Sequence, residues 1–466
     1  MAENLYRIHP SDNVEVNAAN GMKYATGDIP KGGKIVKYGF PIGAASRDIA
    51  KGEMVHTHNI SSLLEGKGGY PPYRQYKTEE HSKSGTFLGY PRKNGAVGIR
   101  NDIFIIPTVG CVNGICDRLA AVTGAVALTH PLGCSQLGDD HEKTREILRG
   151  LALNPNAGGV LIVALGCENN TLDSFMQLLS QKGYDSDTVK FMTVQDEPDE
   201  IKTGLSIIAK LQKILAEDKR QPCPLSKLVI GLKCGGSDAL SGITANPLVG
   251  RVSDRIVELG GSSVLTEIPE MFGAEDIMLS RSRDEDVYTK LTSAIEDFKE
   301  YYIAHGERID ENPSPGNKSG GISTLADKSL GCVQKGGTSA VVDVIDYGGF
   351  VTKSGLSVLN GPGNDIVACT ALAAAGANLI LFTTGRGTPL GGAVPVIKIS
   401  TNTALYQNKP NWIDFDAGKL LDKSIDAQYT EDGLFDLVIA TAEGKLTMSE
   451  QNGYREIAMW KKGVTL

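Results

Sequence analysis

The chain has 466 residues, more than one ordinary core accommodates, so two or three domains are expected. Its composition, 41% hydrophobic and 22% charged, is that of a globular protein. The net charge of −8 excludes non-specific binding to nucleic acid or to an anionic membrane, yet leaves room for a small anion in a local cationic pocket.

The start, Met1 to Arg7, has neither a basic nor an apolar region, and no signal peptide is read there. No stretch reaches the roughly 20 apolar residues of a membrane span, and a cytoplasmic location is expected. Eight cysteines in a chain of this length are thiols, metal ligands or core fillers rather than a disulfide scaffold.

Residues 1–62 form a small β-rich module, with short alternating runs such as Val14-Glu15-Val16 and Lys34-Ile35-Val36-Lys37 between Gly, Pro and Asp. The module closes on His56-Thr57-His58-Asn59. Residues 63–85, around Tyr70-Pro71-Pro72-Tyr73, have the composition of a linker. From residue 86 the pattern becomes apolar run, Gly-rich turn and helix, repeated, which predicts an α/β body with mainly parallel sheets. One predicted helix runs from Asp139 to Leu153, with Asp139 and Glu142 as a capping box and Ile147, Leu148 and Leu151 as its apolar face. A polar, Pro-containing stretch near 215–227 divides the body into a middle α/β domain, 86–222, and a C-terminal one, 223–466.

Cys111, Cys134, Cys167 and Cys234 each follow the end of a predicted strand. In parallel α/β sheets the C-terminal strand ends converge on the ligand crevice, and thiolates there suit iron, zinc or an iron–sulfur cluster. His130, close to Cys134, is a further candidate ligand. The competing reading is that each cysteine is a small buried hydrophobe; Cys116, Cys223 and Cys369 are read that way, with Cys332 left open. His56 and His58, two apart, share a face if the segment is a strand, a geometry suited to a metal, an anion or acid–base work.

Lys233, in Lys-Cys-Gly-Gly-Ser-Asp, and Arg386, in Thr-Thr-Gly-Arg-Gly-Thr, follow apolar runs and are surrounded by glycine and hydroxyl residues. Such turns form anion nests to which a cation adds charge pairing. Neither is a Walker loop, and no Gly-x-Ser-x-Gly elbow occurs.

The segments 89–101, Leu165-Gly166-Cys167-Glu168, 233–247, 314–321 and Phe382-Thr383-Thr384-Gly385-Arg386-Gly387 resemble the altronate/galactarate dehydratase family, and the module ending at 56–59 resembles its small β-clip (SAF) domain. The resemblance implies a β-clip domain, a linker, a middle α/β domain and a Rossmann-like C-terminal domain. It also implies dehydration of a small sugar acid, assisted by iron, as Fe2+ or an iron–sulfur cluster, or by another divalent metal such as Mn2+. On this reading Cys111, Cys134, Cys167, Cys234 and His130 hold the metal. His56, His58 and Lys233 are catalytic, while Arg386, Thr383, Thr384, Ser237 and Asn59 bind substrate in what is expected to be a homodimer. Altronate, galactarate and sulfolactate, whose sulfo-lyases resemble the same modules, stay open as substrates. So does the rival reading of an inactive sensor with a carbohydrate-binding N-terminal module.

Overall fold

The computed structural model describes residues 5–64, 68–77 and 84–463; residues 65–67 and 78–83 of the expected linker lie outside the described residues. The N-terminal module consists of two small antiparallel sheets. One joins Leu5–Tyr6, Val14–Asn17, Lys23–Ala25 and Met54–Val55, and the other Lys34–Lys37, Phe40–Ala45 and Ile60–Ser61. Val14 and Val16 point inward, while Glu15 and Asn17 between them are half-buried, the period of two that the sequence carries.

The middle domain is a parallel sheet in the order Val126–Ala127, Asp102–Pro107, Ala157–Ala164, Val189–Thr193, with helices on its faces. The helix expected from Asp139 runs Gly138–Ala152, with Leu137 at its N-cap and no side-chain cap. The capping box does not form, because the helix begins at Gly138 and Asp139 sits inside its first turn rather than at the cap. Asp140 accepts hydrogen bonds from the backbone N–H of Lys462 and Gly463 at 2.8 and 2.6 Å, tying the C-terminal segment to this helix.

The C-terminal domain is built on a seven-stranded parallel sheet in the order Val341–Ile345, Gly355–Leu359, Ser262–Leu265, Val229–Cys234, Leu379–Thr384, Val396–Ser400, Phe415–Asp416. The chain starts on the central strand Val229–Cys234, lays down the three strands of one side, then crosses to the other. The crevice outside its carboxyl end is therefore the topological switch point where such sheets bind ligands.

The module is fastened to this domain by buried charge. Lys23 and Lys37 reach Asp327 at 2.8 and 3.0 Å, with all three side chains at most 1% exposed. Burial alone would raise the Asp327 carboxyl, but the two ammonium groups outweigh it and hold it well below the usual carboxylate range. The described part of the linker is strapped along the same domain: Tyr76 donates to the Thr338 carbonyl at 2.8 Å, and Lys299 donates to the Tyr70 hydroxyl at 2.8 Å.

Asp327→Ala leaves two buried ammonium groups without the carboxylate that pairs with them and should cost about 3–5 kcal/mol in urea unfolding at pH 7. Because the folded pKa is depressed, the stabilisation is present above the unfolded value of about 3.9 and is lost as pH falls through the folded one. The gap between wild type and variant should therefore narrow below about pH 4; a gap independent of pH would show that the Asp327 charge is not the source.

Candidate functional site

At the carboxyl end of strand Val229–Cys234 the chain turns through Gly235 and Gly236. A Cβ at Gly235 would lie 2.6 Å from the Asp365 carboxylate and from the Phe382 ring, so only glycine lets the loop pass. The strand ends on Lys233 and Cys234, both buried. Three further elements close round them: the turn after Ser262–Leu265 brings Glu267 and Glu270, the start of helix Asp365–Ala374 brings Asp365, and helix Leu325–Cys332 with the 3-10 turn Val333–Gly336 brings Lys328, Cys332 and Lys335. Glu267 holds φ at 73°, a left-handed conformation that a non-glycine residue keeps only where its surroundings impose it.

The side chains interlock. Lys233 Nζ pairs with Glu267 and, at 2.8 Å, with Asp365 Oδ1. Lys328 Nζ lies 2.7 Å from Glu270 Oε1, and Lys335 Nζ lies 2.9 Å from Cys234 Sγ. Glu270 Oε2 is 3.1 Å from Cys234 Sγ and 3.2 Å from Cys332 Sγ, and the two sulfurs are 3.5 Å apart. Among the described residues, Cys234, Glu270 and Cys332 are the group whose donor atoms all lie close enough to hold one metal ion.

The charge states follow from this packing. The hydrogen bond from Cys332 brings the Cys234 thiol down to about 6 against the cost of burial, helped by Lys335 and Lys233, while the Cys332 thiol is pushed well above its ordinary value. Burial raises Glu267 well above the carboxylate range, with repulsion from Glu270 adding to it. Glu270 is buried as deeply, but Lys328, Lys233 and Lys335 hold it ionised. Three ammonium groups thus face the anions of Cys234, Glu270 and Asp365, and a proton on Glu267 leaves the cluster neutral. An open cleft of about 530 Å³ reaches this floor; Cys234, Glu270, Lys328, Asn317, Asp365 and Thr388 line it.

The expected residues are placed unevenly. Lys233 and Cys234 are in the cluster. Thr383 and Thr384 are buried in the adjacent strand, Thr383 donating to Asn246 at 2.6 Å and Thr384 accepting from Gly387 N–H at 2.8 Å. Ser237 is buried beside the cleft with a hydroxyl lacking a hydrogen-bond partner. Arg386 is exposed, its backbone N–H bonded to the carbonyl of Gly236 in the cleft wall at 3.0 Å.

His56 and His58 lie in a turn, not a strand, because the Asn59 side chain closes it on His56 N–H and the Met54 carbonyl, each at 2.9 Å. His56 Nε2 donates to the Lys318 carbonyl at 2.9 Å, and His58 is exposed. Cys111, Cys134 and Cys167 stand exposed on the middle domain and do not join Cys234. His130 is buried among backbone groups, Nε2 on the Pro107 carbonyl at 2.9 Å and Nδ1 accepting from Leu132 N–H at 3.2 Å. Sequence reasoning missed Glu267, Glu270, Lys328 and Lys335. The spacing of Lys328, Cys332 and Lys335, four and three residues apart, is a helical-face signal that would have found three members of the cluster.

This architecture has close relatives. Residues 13–63 match the altronate/galactarate dehydratase SAF domain, 89–216 the D-galactarate dehydratase/altronate hydrolase second domain, and 225–465 the D-galactarate/altronate dehydratase C-terminal domain. The altronate dehydratase of Bacillus subtilis (strain 168) is 48% identical over 476 residues, covering 100% of this chain and 95% of that protein. The altronate dehydratase of Escherichia coli (strain K12) is 47% identical over 464 residues, covering 97% and 93%. The chain belongs to the altronate/galactarate dehydratase family. Within it, the galactarate dehydratase (L-threo-forming) of Escherichia coli (strain K12) is 32% identical over 467 residues, covering 93% of this chain and 88% of that protein. The family's three modules are the three bodies seen here, and the chain is an enzyme, a hydro-lyase of the sugar-acid dehydratase type.

In metal-free protein, the thiolate absorbance difference between wild type and Cys234→Ser should titrate with a midpoint near 6. Replacing the hydrogen-bond donor by Cys332→Ala should move that midpoint upward, since burial is then opposed by fewer partners. An unmoved midpoint would assign the low thiol pKa to the lysines alone.

Proposed function

We propose that the enzyme dehydrates an altronate-type aldonate to its 2-keto-3-deoxy acid in the cleft above Cys234. The observation that carries this reading is the 47–48% likeness to altronate dehydratases along the whole chain, joined to a cleft floor that concentrates ammonium, carboxylate and thiol groups. Dehydration removes the C2 proton, stabilises an enediolate and expels hydroxide from C3. Asp365 is the carboxylate assigned to the proton: its side chain is 39% exposed, Lys233 anchors Oδ1, and Oδ2 lies over Gly235 in the cleft wall. Lys233 is in this reading a positioning residue. Lys328 and Asn317 meet the substrate carboxylate from the cleft side, and Arg386 adds a guanidinium at the mouth. His56 positions the segment carrying Ser314 and Asn317 through the Lys318 carbonyl.

Cys234, Glu270 and Cys332 fit a divalent metal. Their mutual separations of 3.1–3.5 Å suit bonds of about 2.0–2.3 Å, and Lys335 keeps Cys234 in the thiolate form that a ligand needs. Two sulfurs favour iron over Mn2+. When bound, the metal supplies Lewis-acid stabilisation of the enediolate and of the departing hydroxide.

Keto-acid formation from altronate, galactarate and sulfolactate, with ferrous iron under reducing conditions, tests the assignment. Altronate should have the highest kcat/KM, and sulfite release from sulfolactate as the main reaction would overturn it. Arg386→Lys keeps the charge but loses the fork, and a lost charge-assisted hydrogen bond of about 1.5–3 kcal/mol should lower kcat/KM roughly 10- to 150-fold. Unchanged kinetics with a lower Tm would make Arg386 a brace. Asp365→Asn should lower kcat by about 10²–10⁴ with KM little changed, as for loss of a general base.

A further inference from the structure

The hairpin between strands Lys34–Lys37 and Phe40–Ala45 turns on Tyr38 and Gly39, with φ 62° and 80°. Two-residue turns with positive φ at both positions favour asparagine, aspartate or glycine at the first, where a bulky side chain is strained. A tyrosine there breaks the local rule, and such a residue persists only where its surroundings impose it. The module is built to hold it. Buried Asp12 accepts the N–H groups of Tyr38 and Gly39 at 3.2 and 2.8 Å and that of His9 at 2.9 Å. The turn delivers a phenol into the C-terminal domain. A Cβ at Gly242 would lie 2.3 Å from the Tyr38 hydroxyl and one at Gly331 3.3 Å from it, so two glycines leave room for its end.

That hydroxyl borders a small chamber of about 10 Å³ behind the cleft floor, the room of one water molecule. Ser237, Lys328 and Cys332 are also among its walls. Ser237 is 2% exposed, and its hydroxyl has no hydrogen-bond partner among the described residues, which is costly unless something bonds it. Burial pushes the Tyr38 hydroxyl up to about 12, so it keeps its proton and can donate. Lys328 lines the chamber and the cleft alike. Its ammonium bonds Glu270 at 2.7 Å and, on the cleft side, the Asn312 amide oxygen at 3.1 Å, the place that an incoming carboxylate takes. One of its three N–H groups is left for the chamber.

We propose that Tyr38 and Ser237 hold one structural water in this chamber, and that through it Tyr38, a residue of the N-terminal module, positions the Lys328 ammonium for the substrate carboxylate. Two hydroxyls and an ammonium give that water the three partners typical of a buried one. Glu270 fixes the Lys328 nitrogen from the floor and the water fixes it from behind, so the remaining N–H is aimed into the cleft. Tyr38 is in this role a positioning residue, and the role rests on Lys328 being the partner of the carboxylate. It gives the strained turn a function and places the module in the active site without a module side chain touching substrate.

The test is a double-mutant cycle of Tyr38→Phe and Ser237→Ala in the full chain, with a crystal structure of wild type. Kinetics are measured on the sugar acid that wild type turns over fastest, so the choice of substrate does not enter. Each single variant should raise KM about tenfold with kcat little changed, since Lys328 holds the carboxylate in ground and transition state alike. The double variant should be no worse than the poorer single one, because either change already releases the shared water. The crystal structure should show a water bonded to both hydroxyls, an observation independent of any substrate. Should Tyr38→Phe fail to fold, Ser237→Ala alone decides: loss of an unpartnered hydroxyl leaves KM unchanged, whereas loss of the water's partner raises it. Losses that multiply in the double variant, an unchanged KM in the folded variants, or no water between the hydroxyls where other buried waters are seen would overturn the proposal.

Discussion

The structure depends on one requirement: seven ionisable side chains, Lys233, Cys234, Glu267, Glu270, Lys328, Cys332 and Lys335, are buried in one pocket, and each charge needs a partner there. Removing an ion from water costs several kcal/mol, repaid only by close, well-oriented counter-charges. No member can move far without exposing another to that cost. The central strand, the turn at Glu267 and the helix carrying Lys328 are consequently fixed relative to one another, and the strained backbone at Glu267 is held by the pairing of its side chain with Lys233.

The same logic reaches the N-terminal module. Asp327 precedes Lys328 in the helix and is gripped from the other side by Lys23 and Lys37, so the module and the cleft share one element. Tyr38, beside Lys37, packs against Gly242, where a Cβ would lie 2.3 Å from its hydroxyl. The module is thus part of the wall that holds the cleft in shape, which accounts for His56 contributing through the Lys318 backbone carbonyl.

Much of the architecture was legible. Alternation in Val14–Asn17, the repeated apolar run and glycine turn, and the apolar face of Ile147, Leu148 and Leu151 follow from periods of two and 3.6, local properties that the sequence shows directly. The strand-end position of Lys233 and Cys234 was visible for the same reason.

What the sequence by itself determined is the order of strands and helices, the placing of cysteines at strand ends and the family to which the motifs point. Which cysteines meet was decided by tertiary structure alone, because Cys134 and Cys234 follow apolar runs that join two different sheets, and nothing local states which sheet a strand joins. The partner of Cys234 is Cys332, 98 residues away on a helix in the connection between strands Ser262–Leu265 and Val341–Ile345, and kept there by charges that only burial makes binding.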